Sequence, residues 1–191
     1  MAHSMVVSRM KEEAVKQLLN CDLFIDALDA QDVKDKKDLV GTHIFTYPLN
    51  PEFITDPITF VTISVRIPKE YRNNKIWQYP ILQIHIVSHV KHMKIDTKQI
   101  KTCTNRNDFI SQVLDHLLNT KETSKRRFGF FGQLELVKNE EGVFNKDWLF
   151  RYMEFETMDL DRALCECETK EFFGQYGYKV PFAECEEDEE E

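Results

Sequence analysis

The hydrophobic and polar positions change period along the chain, and the changes mark its elements. Val7, Met10, Ala14 and Leu18 recur at helical spacing among Lys11, Glu12, Glu13 and Lys16, predicting an amphipathic helix from Ser4, its cap, to about Asn20. A short helix is expected from Asp22 to about Ala30, carrying Leu23, Ile25 and Leu28, and the charged run Asp32 to Asp38 reads as a loop. After Gly41 the period becomes two. A short strand around His43 to Tyr47 is stopped by Pro48 and Pro51. In Ile58 to Ile67, Val61, Ile63, Val65 and Ile67 alternate with Thr62, Ser64 and Arg66. Tyr79 to Val90 repeats the pattern, with Leu82, Ile84, Ile86 and Val90 inward and Gln83, His85 and His89 outward. The intervening Pro68 to Gln78, with Asn73-Asn74 as a turn signal, is too short for a helical crossover, so the two strands form an antiparallel hairpin with a long projecting loop.

The widest apolar stripe comes next: Phe109, Ile110, Val113, Leu114, Leu117 and Leu118 predict a helix from Asn105 to Asn119, with Asn105 and Asp108 as its capping pair. Two strands follow, Phe130 to Lys138 and Trp148 to Glu156, with the turn expected at Asn139-Glu140-Glu141-Gly142. The order α, α, β, β, β, α, β, β predicts an α+β domain over residues 1–160: an antiparallel sheet of about five strands, mixed at an edge, with helices packed on one face. Residues 161–183 read as a short helix and an extended aromatic arm, and 184–191 as a solvated acidic tail.

Composition agrees with one compact domain: 191 residues, 42% hydrophobic and 30% charged. No stretch approaches the roughly 18 apolar residues of a membrane span, and the N-terminus turns charged too soon for a signal peptide, predicting a soluble protein that is not secreted. The net charge of −8 is local. Seven of the 33 acidic residues fall within Glu184 to Glu191, leaving 26 against 25 basic residues in the rest of the chain, a balance of about −1. A near-neutral body followed by an acidic tail argues against nucleic-acid binding. Five cysteines without CxxC spacing suit a reducing compartment.

Candidate chemistry is sparse. His85, His89 and His92 cluster in sequence, but strand residues four apart lie about 13 Å from each other, too far to share a zinc. Cys165 and Cys167, with Cys185 downstream, lack a second ligand pair. No GxSxG, HExxH or glycine-rich phosphate loop occurs, and Glu135, Glu154 and Glu156 read as a solvated strand face rather than magnesium ligands. No catalytic residue, metal or cofactor is therefore expected. The candidate contact residues are Tyr71 and Trp77 in the projecting loop and Phe172, Phe173, Tyr176, Tyr178 and Phe182 in the arm.

Four segments, KDLVGTHIFTYPLNPEFITDPITFVTISVRIP, KIWQYPILQIHIVSHVKHMKID, TNRNDFISQVLDHLLN and FGQLELVKNEEGVFNKDWLFRYMEFETMDL, occur in an order that resembles the tail completion and tail terminator proteins of tailed bacteriophages. The likeness covers about residues 8 to 160 and carries no catalytic motif. It implies a non-enzymatic virion protein, made in the host cytoplasm. Such a protein forms a homo-hexameric ring that ends the tail tube and joins it to the connector, while DNA passes through without sequence-specific contact and no membrane is involved. Three alternatives stay open. One is another neck ring, adaptor or stopper; another is a small metal-dependent enzyme using the three histidines; the third is a monomeric inhibitor whose acidic tail mimics nucleic acid.

Overall fold

The computed structural model describes residues 3–30, 33–72, 75–95, 105–120 and 128–157. Helix α1, His3–Leu19, buries Val6, Met10, Ala14 and Leu18, each four residues after the last. This row begins at Val6 rather than Val7, and extending it back one turn puts Ser4 inside the helix instead of at its cap. Helix α2, Asp22–Leu28, ends where Asp29 adopts a left-handed conformation at φ 57°, which a short polar side chain tolerates better than most. The following segment, expected as loop, holds a 3-10 turn at Lys36–Leu39 whose start Asp35 caps.

Strands β1 (Ile44–Phe45) and β2 (Thr59–Arg66) pair in parallel. The chain then forms a small hairpin, β3 (Lys69–Arg72) and β4 (Lys75–Gln78), before β5 (Ile81–His89) returns antiparallel to β2. The expected loop is thus a second ladder, separated from the first by Ile67-Pro68 on one strand and Tyr79-Pro80 on the other. Proline has no N–H to give a ladder, so the two prolines divide one long ribbon into two sheets. Val90, expected inside, belongs instead to a 3-10 turn over Val90–His92 and is 44% exposed.

Helix α3, Arg106–Leu118, opens as expected: the Asp108 N–H donates to Asn105 Oδ1 at 2.8 Å, and Asn105 Nδ2 donates back to the Asp108 carboxylate at 2.7 Å. Strands β6 (Leu134–Val143) and β7 (Trp148–Thr157) complete a mixed sheet in the order β1-β2-β5-β7-β6. The turn between them is not at Asn139–Gly142, which lies within β6. Gly142 pairs with Phe150, and a Cβ there would meet the Phe150 ring at 2.5 Å, so this glycine makes room for a ring rather than a bend. The chain reverses over Phe144–Asp147, where Asn145 Oδ1 accepts from the N–H groups of Asp147 and Trp148 at 2.9 and 3.0 Å.

All three helices lie against one face of the sheet. There Val61, Ile63, Leu82, Ile84, Ile86, Met153 and Phe155 pack with Met10, Leu18, Phe24, Ile110 and Leu114 in a continuous core. Among the described residues no α-helix lies on the opposite face. One end of it is a smaller cluster of Phe45, Phe60, Val87 and Trp148, covered by Leu49, Ile54 and Ile58 from the β1–β2 connection. No described helix is long and apolar enough to cross a membrane.

Candidate functional site

Two networks of polar side chains lie on opposite sides of the sheet. The first is buried where α2, α3 and the end of β5 converge. Arg106, at the first position of α3 and 1% exposed, donates from Nη1 to the Ala27 carbonyl, which lies in the last turn of α2. It also donates from Nε to the His92 carbonyl at 2.7 Å and from Nη2 to the Lys94 carbonyl at 3.1 Å. The same Nη2 meets Asp29 Oδ2 at 3.2 Å. Burial lowers the guanidinium's affinity for its proton, and Asp29 opposes that shift. One side chain thereby ties the end of α2 to the loop before α3.

The network continues into the sheet. Thr59 Oγ1 lies 2.8 Å from Ser88 Oγ and 3.0 Å from His92 Nδ1, and Ser88 donates to Asn107 Oδ1 at 2.6 Å. Since the one hydroxyl proton of Ser88 goes to Asn107, Thr59 must donate to Ser88, and His92 must then donate its Nδ1–H to Thr59. His92 Nε2 points at Asp29 Oδ2, 3.6 Å away. Burial first, then Arg106, hold the imidazole below its ordinary value of 6.5, with Asp29 pulling the other way and His43 and His89 adding to the lowering. The order Asp29, His92, Thr59 has the form of a nucleophilic triad, but both Thr59 and Ser88 are fully buried. A hydroxyl that no substrate can reach orders the interior instead, and here it pins α3 to β2 and β5.

The second network faces outward. Gln83 Nε2 donates to Tyr152 Oη at 2.6 Å and Glu154 Oε1 at 2.9 Å, and the Tyr152 hydroxyl donates to the same carboxylate oxygen. Arg66 approaches Glu154 at 3.5 Å, Lys138 Nζ sits 5.1 Å from the Tyr152 ring centre, and the His85 ring lies 4.5 Å from the same ring. Burial opposes the charge on Glu154, yet hydrogen bonds from Tyr152 and Gln83 and the charges of Arg66 and Lys138 prevail and hold its carboxyl below the usual range. Burial, then the bond to Glu154, pushes Tyr152 up to about 12. His85 is lowered by burial, against the pull of Glu154. The arrangement is a half-buried polar ladder across four strands, β2, β5, β7 and β6, and it offers a preorganised, charged face.

The histidines do not converge. His85 stacks on Tyr152, His89 packs edge-on to Trp148 at 5.1 Å, and His92 belongs to the buried network. Among the described residues no group of three or more His, Cys, Asp or Glu could hold a metal. Tyr71 pairs in register with Ile76, and Trp77 with Glu70, so the two expected contact residues occupy alternating positions of the β3–β4 ribbon. Phe172, Phe173, Tyr176, Tyr178 and Phe182, and with them Cys165, Cys167 and Cys185, lie outside the described residues. Sequence reasoning missed Arg106. The available signal was a basic residue at the start of a helix, where the macrodipole disfavours it unless something else holds it.

The class that emerges is a mixed-sheet α+β protein. A model of the YomW family matches residues 13–157, and the chain belongs to that family, which is named after a protein from an SPbeta-like phage region of Bacillus. No curated protein and no solved structure matches the chain.

Proposed function

We propose that the protein is a non-enzymatic virion component at the phage head-tail interface, forming a homo-hexameric ring that terminates the tail tube and joins it to the connector. The observation that carries this reading is the β3–β4 hairpin, a two-stranded sheet of its own. An isolated two-stranded hairpin is marginal in water, so such a ribbon is best understood as half of a contact that a neighbour completes. The ten-residue β6 forms one edge of the main sheet, with Val137, Val143 and Phe144 at and beside it about half exposed or more, whereas the opposite edge, β1, has two residues. Two unlike edges suit head-to-tail association, in which each subunit uses two different patches and the rotation closes a ring. The phage association of the family supports the same setting.

Native mass spectrometry of the purified protein, alone and with isolated tail tubes, tests the reading. A ring of six, alone or on the tube end, is expected, and Trp77→Ser is expected to weaken it without unfolding the main sheet. A protein that stays monomeric with tubes and with connectors would overturn it; rings that bind connectors and never tubes would identify an adaptor or stopper instead.

A further inference from the structure

Two grooves open on the described surface, and their linings differ in sign. The smaller, of about 400 Å³, lies between the start of α3 and the β6–β7 end of the sheet and carries the carboxylates of Glu141 and of Asp108, the latter paired with Arg151 at 3.2 Å. The larger, of about 640 Å³, runs along α1 toward β1. Val15, Leu19 and Val40 give it an apolar floor, and Lys11 and Lys16 stand on its rim beside Glu12, with Lys16 also 3.7 Å from Glu13 Oε2 just outside the lining. Lys11 Nζ reaches across to the Thr46 carbonyl at 2.6 Å, which fixes one wall of the groove to the chain leaving β1.

We propose that this larger groove seats the aromatic arm, residues 172–182, of the same chain. Three observations lead there. The arm carries five aromatics in eleven residues, two of them tyrosines, and an apolar floor edged by ammonium groups suits both the ring faces and the phenol oxygens of such a segment. Seven acids follow almost at once, within Glu184 to Glu191. With Glu13 beside Lys16 and Arg151 beside Asp108, the charges still favour the groove that has two lysines over the one that has two carboxylates and no basic residue in its described lining. Reach is sufficient: β7 ends at Thr157, three strand positions from β1, about 15 Å across the sheet and, by the register, about 15 Å along it. Residues 158–171 span up to about 46 Å when extended.

The same tether selects the chain's own arm over a second copy's. A connection of only 14 residues, 158–171, holds the arm at an effective concentration of roughly millimolar order, well above the concentration of free protein in solution. Among the described residues the groove is lined by α1 with Asn20, Val40 and Thr46 and by no residue of β1, β6 or the hairpin, so the inference goes beyond the ring reading and does not depend on it.

Photo-crosslinking of the full-length chain decides the matter. p-Benzoylphenylalanine is placed at Val40, which is 43% exposed, and in a separate protein at Glu12, also exposed on the groove. Crosslinks from both positions into residues 172–182 are expected, within single chains when isotope-labelled and unlabelled proteins are mixed. Their yield is expected to fall several-fold in a Phe173→Ser/Tyr176→Ser variant. Crosslinks that join labelled to unlabelled chains would assign the groove to a second copy, and crosslinks that never reach the arm would leave it without a role there; either result overturns the proposal. Hydrogen exchange gives a second readout should one position fold poorly: amides of residues 8–20 exchange faster in the arm variant if the arm covers α1, and unchanged rates count against it.

Discussion

The two polar networks use the same kinds of side chain and differ in what surrounds them. Under α3, Arg106, Asn107, Thr59 and Ser88 are each at most 4% exposed and spend their hydrogen bonds on one another and on backbone carbonyls. On the open face, Gln83, Tyr152 and Glu154 are half-buried, and Arg66 and Lys138 reach them from solvent. A buried polar group left without its partner has no water to turn to, whereas an exposed one does. The inner network therefore behaves as a lock, and the outer one as a surface that tolerates change and remains available to a partner.

Removing the center of the lock should have the largest effect. Arg106→Ala removes the buried donors to Asp29 and to the carbonyls of Ala27, His92 and Lys94, and a loss of about 3–5 kcal/mol is expected in urea unfolding. Arg106→Lys should recover only part of it, because one ammonium cannot replace a planar fork that bonds four acceptors. A loss below about 1 kcal/mol for Arg106→Ala would show that the inner network is no tighter than the outer. Asn107→Leu comes next. It removes the acceptor for Ser88 and the donor to the Leu149 carbonyl, and should cost about 1–3 kcal/mol, read in the same way.

This contrast also separates what was legible in the sequence from what was not. Strand alternation through Ile63 and Ile84, the stripe from Ile110 to Leu118 and the Asn105 cap are local signals, each contained within a few residues, and the sheet with helices on one face follows from them. The Arg106 network is not local. Its guanidinium meets groups 12 to 79 residues away in the chain, and no spacing rule connects Ala27, Asp29 and His92 to a residue at the start of a later helix. The turn before β7 was misplaced for a related reason: Gly142 has the look of a turn residue, and its actual partner, Phe150, sits on the next strand. On the outer face the residue types were visible as an alternating polar row. Their joint effect on Glu154 depends on four side chains from other strands or positions, and only the register reveals it.

On the outer face the expected changes are smaller. Tyr152→Phe deletes the hydroxyl that serves Gln83 and Glu154 but leaves both open to water and Arg66, so a loss of about 0.5–1.5 kcal/mol is expected from urea unfolding at neutral pH. A loss as large as that of Arg106→Ala would erase the distinction between the two faces.

The smallest effects, and the most specific, come from pH. His92 inside and His85 outside both titrate below the ordinary 6.5. Between the lowered value and 6.5 the unfolded chain binds more protons than the folded one, so their contribution is full above 6.5 and is lost as pH falls through that window. Glu154, also lowered, loses its contribution further down, as pH drops below the ordinary carboxyl value of 4.5. Tyr152 has the opposite sign. Its contribution is complete below 10 and disappears as pH rises toward about 12. Urea midpoints of the protein and three variants across this range can assign each step. His92→Gln should flatten part of the mildly acidic slope, leaving the share of His85; Glu154→Gln should flatten the more acidic one, and Tyr152→Phe the alkaline one together with part of the more acidic one, because its hydroxyl also holds Glu154 low. An alkaline loss that persists in Tyr152→Phe would mean that the outer ladder does not hold this phenol in its neutral form, and the preorganisation ascribed to that face would fail with it.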